Sequence, residues 1–367
     1  MEFINEKIDN DISLKFKPIK KTVSLSYANG KSIERKGFDE WALTSPLRAV
    51  LDLESSCNLN CKYCSYANSK ENNERIPKDK VFQIIDELEK MKVFEFSLRG
   101  GEPTIHPDFE EIWNYAQNKK FLTTNVITNG LVLNYKKAKK YLANPAARII
   151  ISLDGFPEIN DCYRDPRQYK KVMSWLPAIL KEFPYQVVIL TCLYKDSVKK
   201  AMKFSEYLAE LGLKFHDFSP LRREGYAFSY NDKEFLSLKQ MKELQKKLNG
   251  IKKKFPDFRP LITCSKVHKD EYQDLQDFPV PLFNEIYQST IIRIHANGNV
   301  LVSNRTHFDP MKENIKEKEC LGNIFEKSLE EIWLSTKEVR KKQVAMFHKN
   351  ESLFLSWKNN IANKFGL

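Results

Sequence analysis

Three cysteines, Cys57, Cys61 and Cys64, stand in the run CNLNCKYC, spaced CxxxCxxC with no fourth close behind. A structural zinc site takes four ligands, commonly as two CxxC pairs. Three thiolates this near one another instead suit a metal centre with one position left open, and an open position is where substrates bind. Thiolates are the usual ligands of iron–sulfur clusters, and three of them on a cubane of four irons leave one iron without a protein ligand. Downstream stand RGGEP (99–103), TNG (128–130), SLDG (152–155) and TC (191–192). Gly100 and Gly101 let backbone approach a ligand closely, Glu102 places a carboxylate where an ammonium group can be held, and Pro103 fixes the turn. Asn129, Ser152 and Asp154 supply donors and acceptors suited to ribose hydroxyls or a carboxylate. The set reads as a site for an amino-acid nucleoside.

The elements that would bring these residues together follow a regular rhythm. RAVLDLE (48–54) is an apolar, strand-like run that ends just before Cys57, and PKDKVFQIIDELEKM (77–91) has the apolar spacing of an amphipathic helix with proline at its start. Strands are then expected at FEFSL (94–98), LTTNVIT (122–128), RIIISLDG (148–155), YQVVILTCL (185–193) and LKFHDF (213–218). Helices are expected between them, from Asp108 to Asn118, from Asn134 to Leu142, from about Tyr169 onward, and over 197–211. Six strands alternating with helices predict βαβ units and a parallel sheet. Six fall short of a closed eight-stranded barrel, so the expected fold class is α/β, a partial (β/α)6 TIM-like barrel that stays open. Ligands in such folds bind at the C-terminal ends of the strands, which puts the cysteine loop, RGGEP, TNG, SLDG and TC on one rim.

The barrel is expected over residues 46–220. Beyond it, a lysine-rich helix (about 235–254), a proline-interrupted stretch, a hairpin around Asn297-Gly298 and a helix from Ser328 predict a small α+β domain over 221–367. Asn29-Gly30, between alternating segments, predicts a hairpin within residues 1–45. The other four cysteines, Cys162, Cys192, Cys264 and Cys320, stand alone. Lone buried cysteines are mostly small hydrophobes, although Cys162 or Cys192 becomes a hydrogen-atom donor if it faces the pocket. The CxxxH spacing of Cys264 and His268 lacks further partners and reads as incidental, and His106 reads as a loop residue where a helix begins.

A composition of 42% hydrophobic and 29% charged residues is that of a soluble globular chain. No apolar run approaches the roughly 18 to 20 residues of a membrane span, and the N-terminus lacks the sections of a signal peptide, so a cytoplasmic protein that does not engage membrane is expected. Sixty basic against 48 acidic residues give +12. The lysines are scattered over predicted helix faces with no arginine-rich arm, so they read as solvated faces, and nucleic acid is not an expected partner.

CxxxCxxC with Tyr63 before the last cysteine, followed by GGEP after the second strand, is similar to the radical S-adenosylmethionine (radical SAM) superfamily, over roughly residues 45–220. The resemblance implies that Cys57, Cys61 and Cys64 carry one 4Fe–4S cluster whose open iron chelates the amino and carboxylate groups of SAM. Gly100, Gly101, Glu102 and Pro103 would then hold the SAM amino group, and Asn129, Ser152 and Asp154 would line its ribose or methionine side. Arg164, in NDCYR (160–164), would pair with its carboxylate, and Tyr63 joins the cofactor-binding set. The implied chemistry is one-electron reduction of the cluster by a donor such as flavodoxin or ferredoxin, homolysis of a SAM sulfur–carbon bond, and hydrogen abstraction from substrate by a 5′-deoxyadenosyl radical.

NGNVLVSN (297–304) and LGNIFEKSLEEIW (321–333) resemble the SPASM or twitch extension of the same superfamily. Its auxiliary-cluster cysteines are mostly missing, with Ser303 where one is expected, so an extension without a second cluster is expected. The leading implied substrate is a ribosomally made peptide. A small molecule such as a sugar or antibiotic precursor, changed by redox-neutral epimerisation or rearrangement, is the second reading. A catalytically silent or RNA-binding protein fits less well, because the ligand set is complete and no dense basic-aromatic stripe is present.

Overall fold

The computed structural model describes residues 4–9, 12–17, 22–27, 32–36, 38–39, 42–65, 73–222, 225–262, 291–302 and 320–337. At the N-terminus β1 (Ile4–Asp9), β2 (Ile12–Lys17), β3 (Thr22–Tyr27) and β4 (Ser32–Lys36) pair in order, all antiparallel. The expected hairpin is its last pair, with Ser26 opposite Ser32. A two-stranded ribbon, β5 (Phe38–Asp39) and β6 (Ala42–Leu43), follows.

The six barrel strands form as β7 (Arg48–Asp52), β8 (Glu95–Arg99), β9 (Thr123–Thr128), β10 (Ala147–Ser152), β11 (Val187–Leu193) and β12 (Phe215–Pro220). They pair in sequence and in parallel. Further strands extend the same sheet at both edges. β13 (Arg259–Ile262) adds in parallel to β12. On the far side β14 (Ile291–Ile294) adds in parallel to β7 and turns back as antiparallel β15 (Asn299–Val302), which pairs with β16 (Cys320–Asn323). The result is one ten-stranded sheet, eight of whose described strands are parallel, and β13 and β14 do not pair with each other. The open, parallel α/β architecture is therefore as expected, with two more parallel strands than the six read from the sequence.

Crossover helices cover one face: α1 (Lys78–Lys90), α2 (Phe109–Gln117), α3 (Tyr135–Tyr141), α4 (Pro157–Tyr163), α5 (Gln168–Met173), α6 (Leu176–Glu182) and α7 (Val198–Glu210). The single helix expected after β10 is three short ones. Pro157 sits in the first turn of α4 and Pro177 in the first turn of α6, where a missing amide is tolerated. α8 (Leu238–Lys254) and α9 (Leu329–Ser335) open on Ser237 and Ser328, each with a reciprocal capping box. No described helix is long and apolar enough to cross a membrane.

Period-two alternation sorts the strands. Ala49, Leu51, Phe96 and Leu98 pack in the core with Val81, Ile84 and Leu88 of α1. The opposite face is polar: Arg48 pairs with Glu95, and Asn125 donates to Glu95 and to Ser97. That alternation aims the last residues of β7 to β11 into the rim.

Candidate functional site

The cysteine loop leaves β7 and is immediately laced to the turn after β8. The Leu53 amide donates to the Arg99 carbonyl (2.8 Å), the Gly101 amide to Glu54 (2.8 Å) and the Glu102 amide to Ser56 (2.9 Å). Two backbones lie so close here that side chains are excluded. A Cβ on Gly100, at φ +146°, would lie 2.3 Å from the Glu54 carbonyl oxygen, and one on Gly101 would lie 2.0 Å from that of Ser56. GG is required because the second loop is the bed on which the first one lies.

Pro103 begins a short 3₁₀ turn that Glu102 caps. The structure turns the Glu102 carboxylate inward rather than toward an open ammonium position. Oε1 accepts from the Thr104 amide (3.1 Å), the Thr104 hydroxyl (2.5 Å) and the Thr128 hydroxyl (2.6 Å), and Oε2 accepts from the Asn129 amide (2.7 Å). Burial pushes this carboxyl above the usual range, while the hydrogen bonds pull it back. Glu102 thus ties the β8 turn to the end of β9.

From there a belt of buried hydrogen bonds runs along the rim. Asn129 reaches the cysteine loop, its amide nitrogen donating to Asn58 (2.7 Å) and standing 3.9 Å from Cys57 Sγ. Gln168, fully buried at the start of α5, donates to the carbonyls of Asn129 (2.8 Å) and Ser152 (2.7 Å), joining β9 to β10. Asn160 donates to Gln168 (3.2 Å) and accepts from the Asp154 amide (3.0 Å). Asp154, wholly buried, then gathers three partners: the Tyr63 hydroxyl, Arg164 through Nη2 (3.0 Å) and Nε (2.8 Å), and the Cys192 amide (3.0 Å) at the end of β11. The Arg164 guanidinium also lies over the Tyr63 ring, 5.4 Å from its centroid.

The two candidate hydrogen-atom donors are placed differently. Cys192 packs beside Tyr63, Tyr163 and Tyr194, and burial pushes its thiol well up. Cys162 is exposed on α4, with Lys62 Nζ 3.7 Å from its sulfur. His106 is buried against the chain, one ring nitrogen meeting the Ile76 carbonyl (3.2 Å) and the other accepting from the Asp108 amide (3.1 Å), which fits a loop role. Cys264 and His268 lie outside the described residues. Cys320 donates to its neighbour Gly322 (3.5 Å) within β16.

The donor set suits an iron–sulfur cluster. Cys57 and Cys61 are pushed up to about 12 and about 11, chiefly by burial, and nearness to other cysteines of the trio raises both further. Bare thiolates would be costly there, and bound iron removes that cost. Among the described residues no three of His, Cys, Asp and Glu are arranged to share a single ion, and a cluster does not need that, since each thiolate ligates a different iron. The Leu59 amide donates to Cys57 Sγ (3.4 Å), the kind of N–H···S bond that tunes such centres.

Sequence reasoning missed Gln168, Asn160 and Glu54. Glu54 is fully buried and holds Arg75 (2.7 Å) and the Ser56 hydroxyl (3.0 Å) directly beneath the glycine pair. Nothing in residue type singles these out.

Residues 55–221 match the family model described as the radical SAM superfamily. The chain is 36% identical over 126 residues to the mycofactocin maturase MftC of Mycobacterium ulcerans, covering 34% of each chain. It is 30% identical over 176 residues to the AdoMet-dependent heme synthase of Methanosarcina barkeri, covering 47% of this chain and 50% of that one. It therefore spans a third to a half of the length of these curated relatives. Among solved structures, Streptococcus suis SuiB bound to its precursor peptide SuiA superposes with a TM-score of 0.62 at 18% identity, over 80% of this chain and 65% of that one, a likeness of fold.

Proposed function

We propose that this chain, which belongs to the radical SAM superfamily through residues 55–221, binds one 4Fe–4S cluster on Cys57, Cys61 and Cys64 and uses SAM to abstract hydrogen from a ribosomally made peptide. The observation that carries the reading is the interlock of the cysteine loop with the GGEP turn, where amide-to-carbonyl bonds and close backbone approach at Gly100 and Gly101 fix the residues that lead into Cys57.

When bound, the cluster and SAM supply a 5′-deoxyadenosyl radical by one-electron reductive cleavage of SAM. The chain's own residues orient the cofactor and keep water away. Gly100 and Gly101 would present main-chain carbonyls to the SAM amino group, because the Glu102 carboxylate is already engaged by Thr104, Thr128 and Asn129 and the Glu102 and Pro103 carbonyls accept from the Ile105 and His106 amides. Asn129 and Ser152 stand at adjacent strand ends for the ribose, their carbonyls fixed by Gln168. Arg164, held by Asp154 and stacked on Tyr63, offers its remaining N–H groups to the SAM carboxylate. Cys192 is kept as a neutral thiol by burial. In a redox-neutral epimerisation it gives its hydrogen atom to the substrate radical and becomes a thiyl, which one electron from the flavodoxin or ferredoxin donor and one proton restore to S–H.

The peptide assignment is supported by a relative named as a maturase, that of mycofactocin, and by a neighbour in fold bound to a precursor peptide, SuiB with SuiA. Residues 221–367 are assigned as a SPASM-like extension without an auxiliary cluster, and the reducing chemistry is assigned to the cytoplasm.

The deciding measurement is iron and acid-labile sulfide per chain after anaerobic reconstitution, in the wild type and in the variant with Cys57, Cys61 and Cys64 all changed to alanine. About four irons falling to none is expected. Iron that survives the triple change would show another cluster site and overturn the single-cluster assignment.

A further inference from the structure

We propose that residues 225–230, which lie beyond the stretch matched by the family model, are a positioning clamp on the third cluster cysteine, with Gly225 as its fixed point. The proposal rests on the reading of Cys64 as a cluster ligand.

After β12 the chain comes back to the cysteine loop and meets it backbone to backbone. Gly225 has φ +56°, and a Cβ there would lie 2.1 Å from the Cys64 carbonyl oxygen and 2.6 Å from Ser65 Cα. Both of these are main-chain atoms, so no side-chain rotation relieves the collision. The next amide, that of Tyr226, donates to the same Cys64 carbonyl (3.0 Å). One turn later the Tyr230 hydroxyl donates to the Lys62 carbonyl (3.1 Å). From the opposite side the Tyr163 carbonyl, at the end of α4, accepts from the Lys62 amide (2.9 Å). Ala227, wholly buried with Ile159, Tyr194 and Leu221, anchors the clamp in a small apolar cluster that leans on Tyr63 and Cys192.

The stretch Lys62–Cys64 is thus held between α4 and the segment that follows β12. Cys57 is placed differently: it is presented by the β7–β8 lacing and Asn129, whereas Cys64 depends on a part of the chain more than 150 residues away, at Gly225. Cluster thiolates must be held within about half an ångström of their working positions. Any side chain at position 225 therefore pushes the Cys64 main chain away from the other two ligands. The contacts of Gly225, Tyr226 and Tyr230 are with the main chain of Lys62–Ser65, so they act through Cys64.

Gly212 provides a matched control. It also has a positive φ, +95°, but nothing lies within 4 Å of its would-be Cβ, so Gly212→Ala carries the backbone cost without the collision. Full-length wild type, Gly225→Ala, Gly212→Ala and Tyr230→Phe are reconstituted anaerobically, and three quantities are read: iron per chain, the EPR spectrum of the reduced cluster with and without SAM, and the rate at which Cys64 is alkylated in the metal-free protein. Wild type and Gly212→Ala are expected to match in all three. Gly225→Ala is expected to retain roughly tenfold less iron, as loss of supporting contacts does at metal sites, and to alkylate faster at Cys64. Tyr230→Phe is expected to keep its iron but shift the EPR g-values. Wild-type iron, spectrum and alkylation rate in Gly225→Ala would overturn the clamp and leave the cluster assignment standing. Absence of iron from the wild type would overturn the cluster assignment on which the clamp depends. If Gly225→Ala does not fold by circular dichroism, Tyr230→Phe decides, and an unchanged spectrum and alkylation rate in that variant would overturn the clamp.

Discussion

Asp154 and Glu102 share a design at the level of single residues: each is a buried carboxylate whose oxygens are taken up by neighbours, from three segments of the chain at Asp154 and from its own turn and the end of β9 at Glu102. Their types made them visible in the sequence, but their work is to hold the rim together, which sequence spacing does not disclose. The cysteines and the GGEP turn were legible because the chemistry proposed for them requires fixed local spacing. Gln168, Asn160 and Gly225 were not, because their partners lie elsewhere in the chain and an ordinary glutamine, asparagine or glycine carries no local mark. His216 is a further residue of this kind. It is wholly buried between the Thr191 hydroxyl (2.8 Å) and the Ser205 hydroxyl (3.1 Å). Thr191 spends its own proton on the Leu153 carbonyl, so the imidazole must donate to Thr191 and accept from Ser205. Burial lowers its pKa from 6.5 to about 3. Above 6.5 neither folded nor unfolded chain is protonated there and stability is unaffected. As pH falls below 6.5 the unfolded chain takes up a proton that the folded one refuses, so stability falls by about 1.4 kcal/mol per pH unit. Urea unfolding of wild type and His216→Gln at pH 7 and near pH 5.5 checks this: the variant should start less stable and lose about 1 kcal/mol less on acidification. Equal losses in the two proteins would show that His216 titrates normally.

Elements were legible where their amphipathic period was long, as in α1, α2 and α7, or where a cap stood in place, as Asn134 does at the start of the short α3. Two misreadings have physical causes. β13 holds Pro260 within four residues, which argues against a strand except at a sheet edge, and an edge is where it lies. The strands around Asn297-Gly298 were recognised as a hairpin, but hairpin chemistry says nothing about what the outer face of that hairpin pairs with, and β14 pairs with β7. That junction is fastened by a buried charge cluster. Arg293 on β14, fully buried, binds Asp52 at the end of β7 through Nε (3.0 Å) and Nη2 (2.8 Å). Arg99 of β8 and His295 approach the same carboxylate at 3.3 and 3.2 Å. His295 is kept neutral, pushed down to about 4 by burial and by Arg293. Removing one member of such a cluster leaves the others buried and poorly compensated. Arg293→Met is expected to cost about 3–5 kcal/mol in chemical denaturation, and Arg293→Met with Asp52→Asn is expected to recover part of the loss, a coupling that a double-mutant cycle measures. Additive costs would mean that the two side chains stabilise their strands separately.

At the scale of the whole molecule, the sheet runs without a break from β13 through the barrel strands to β16. The C-terminal segment is therefore built into the barrel wall. Ile292, Ile294, Leu329, Ile332 and Trp333 share one apolar core with Leu88 of α1 and Leu51 of β7. α9 is fastened to α1 as well, the Leu329 amide donating to Glu87 (2.6 Å) and Lys90 pairing with Glu330 (2.8 Å). A catalytic barrel with a separable extension would tolerate loss of that extension, and this architecture would not. Ending the chain after Ile262 would turn β7 into an exposed edge, leaving unpaired the amides and carbonyls that face β14. It would also strip the Arg293 and His295 side chains from Asp52 and uncover the apolar flank of α1. The shortened protein is expected to aggregate, eluting in the void volume on size-exclusion chromatography, whereas the full chain elutes as a compact species. A shortened protein that stayed compact and kept its circular dichroism spectrum would show that β7 closes the barrel by itself. The cysteine loop, which begins one residue after β7 ends in Asp52, would then owe its placement to β8 and the GGEP turn alone.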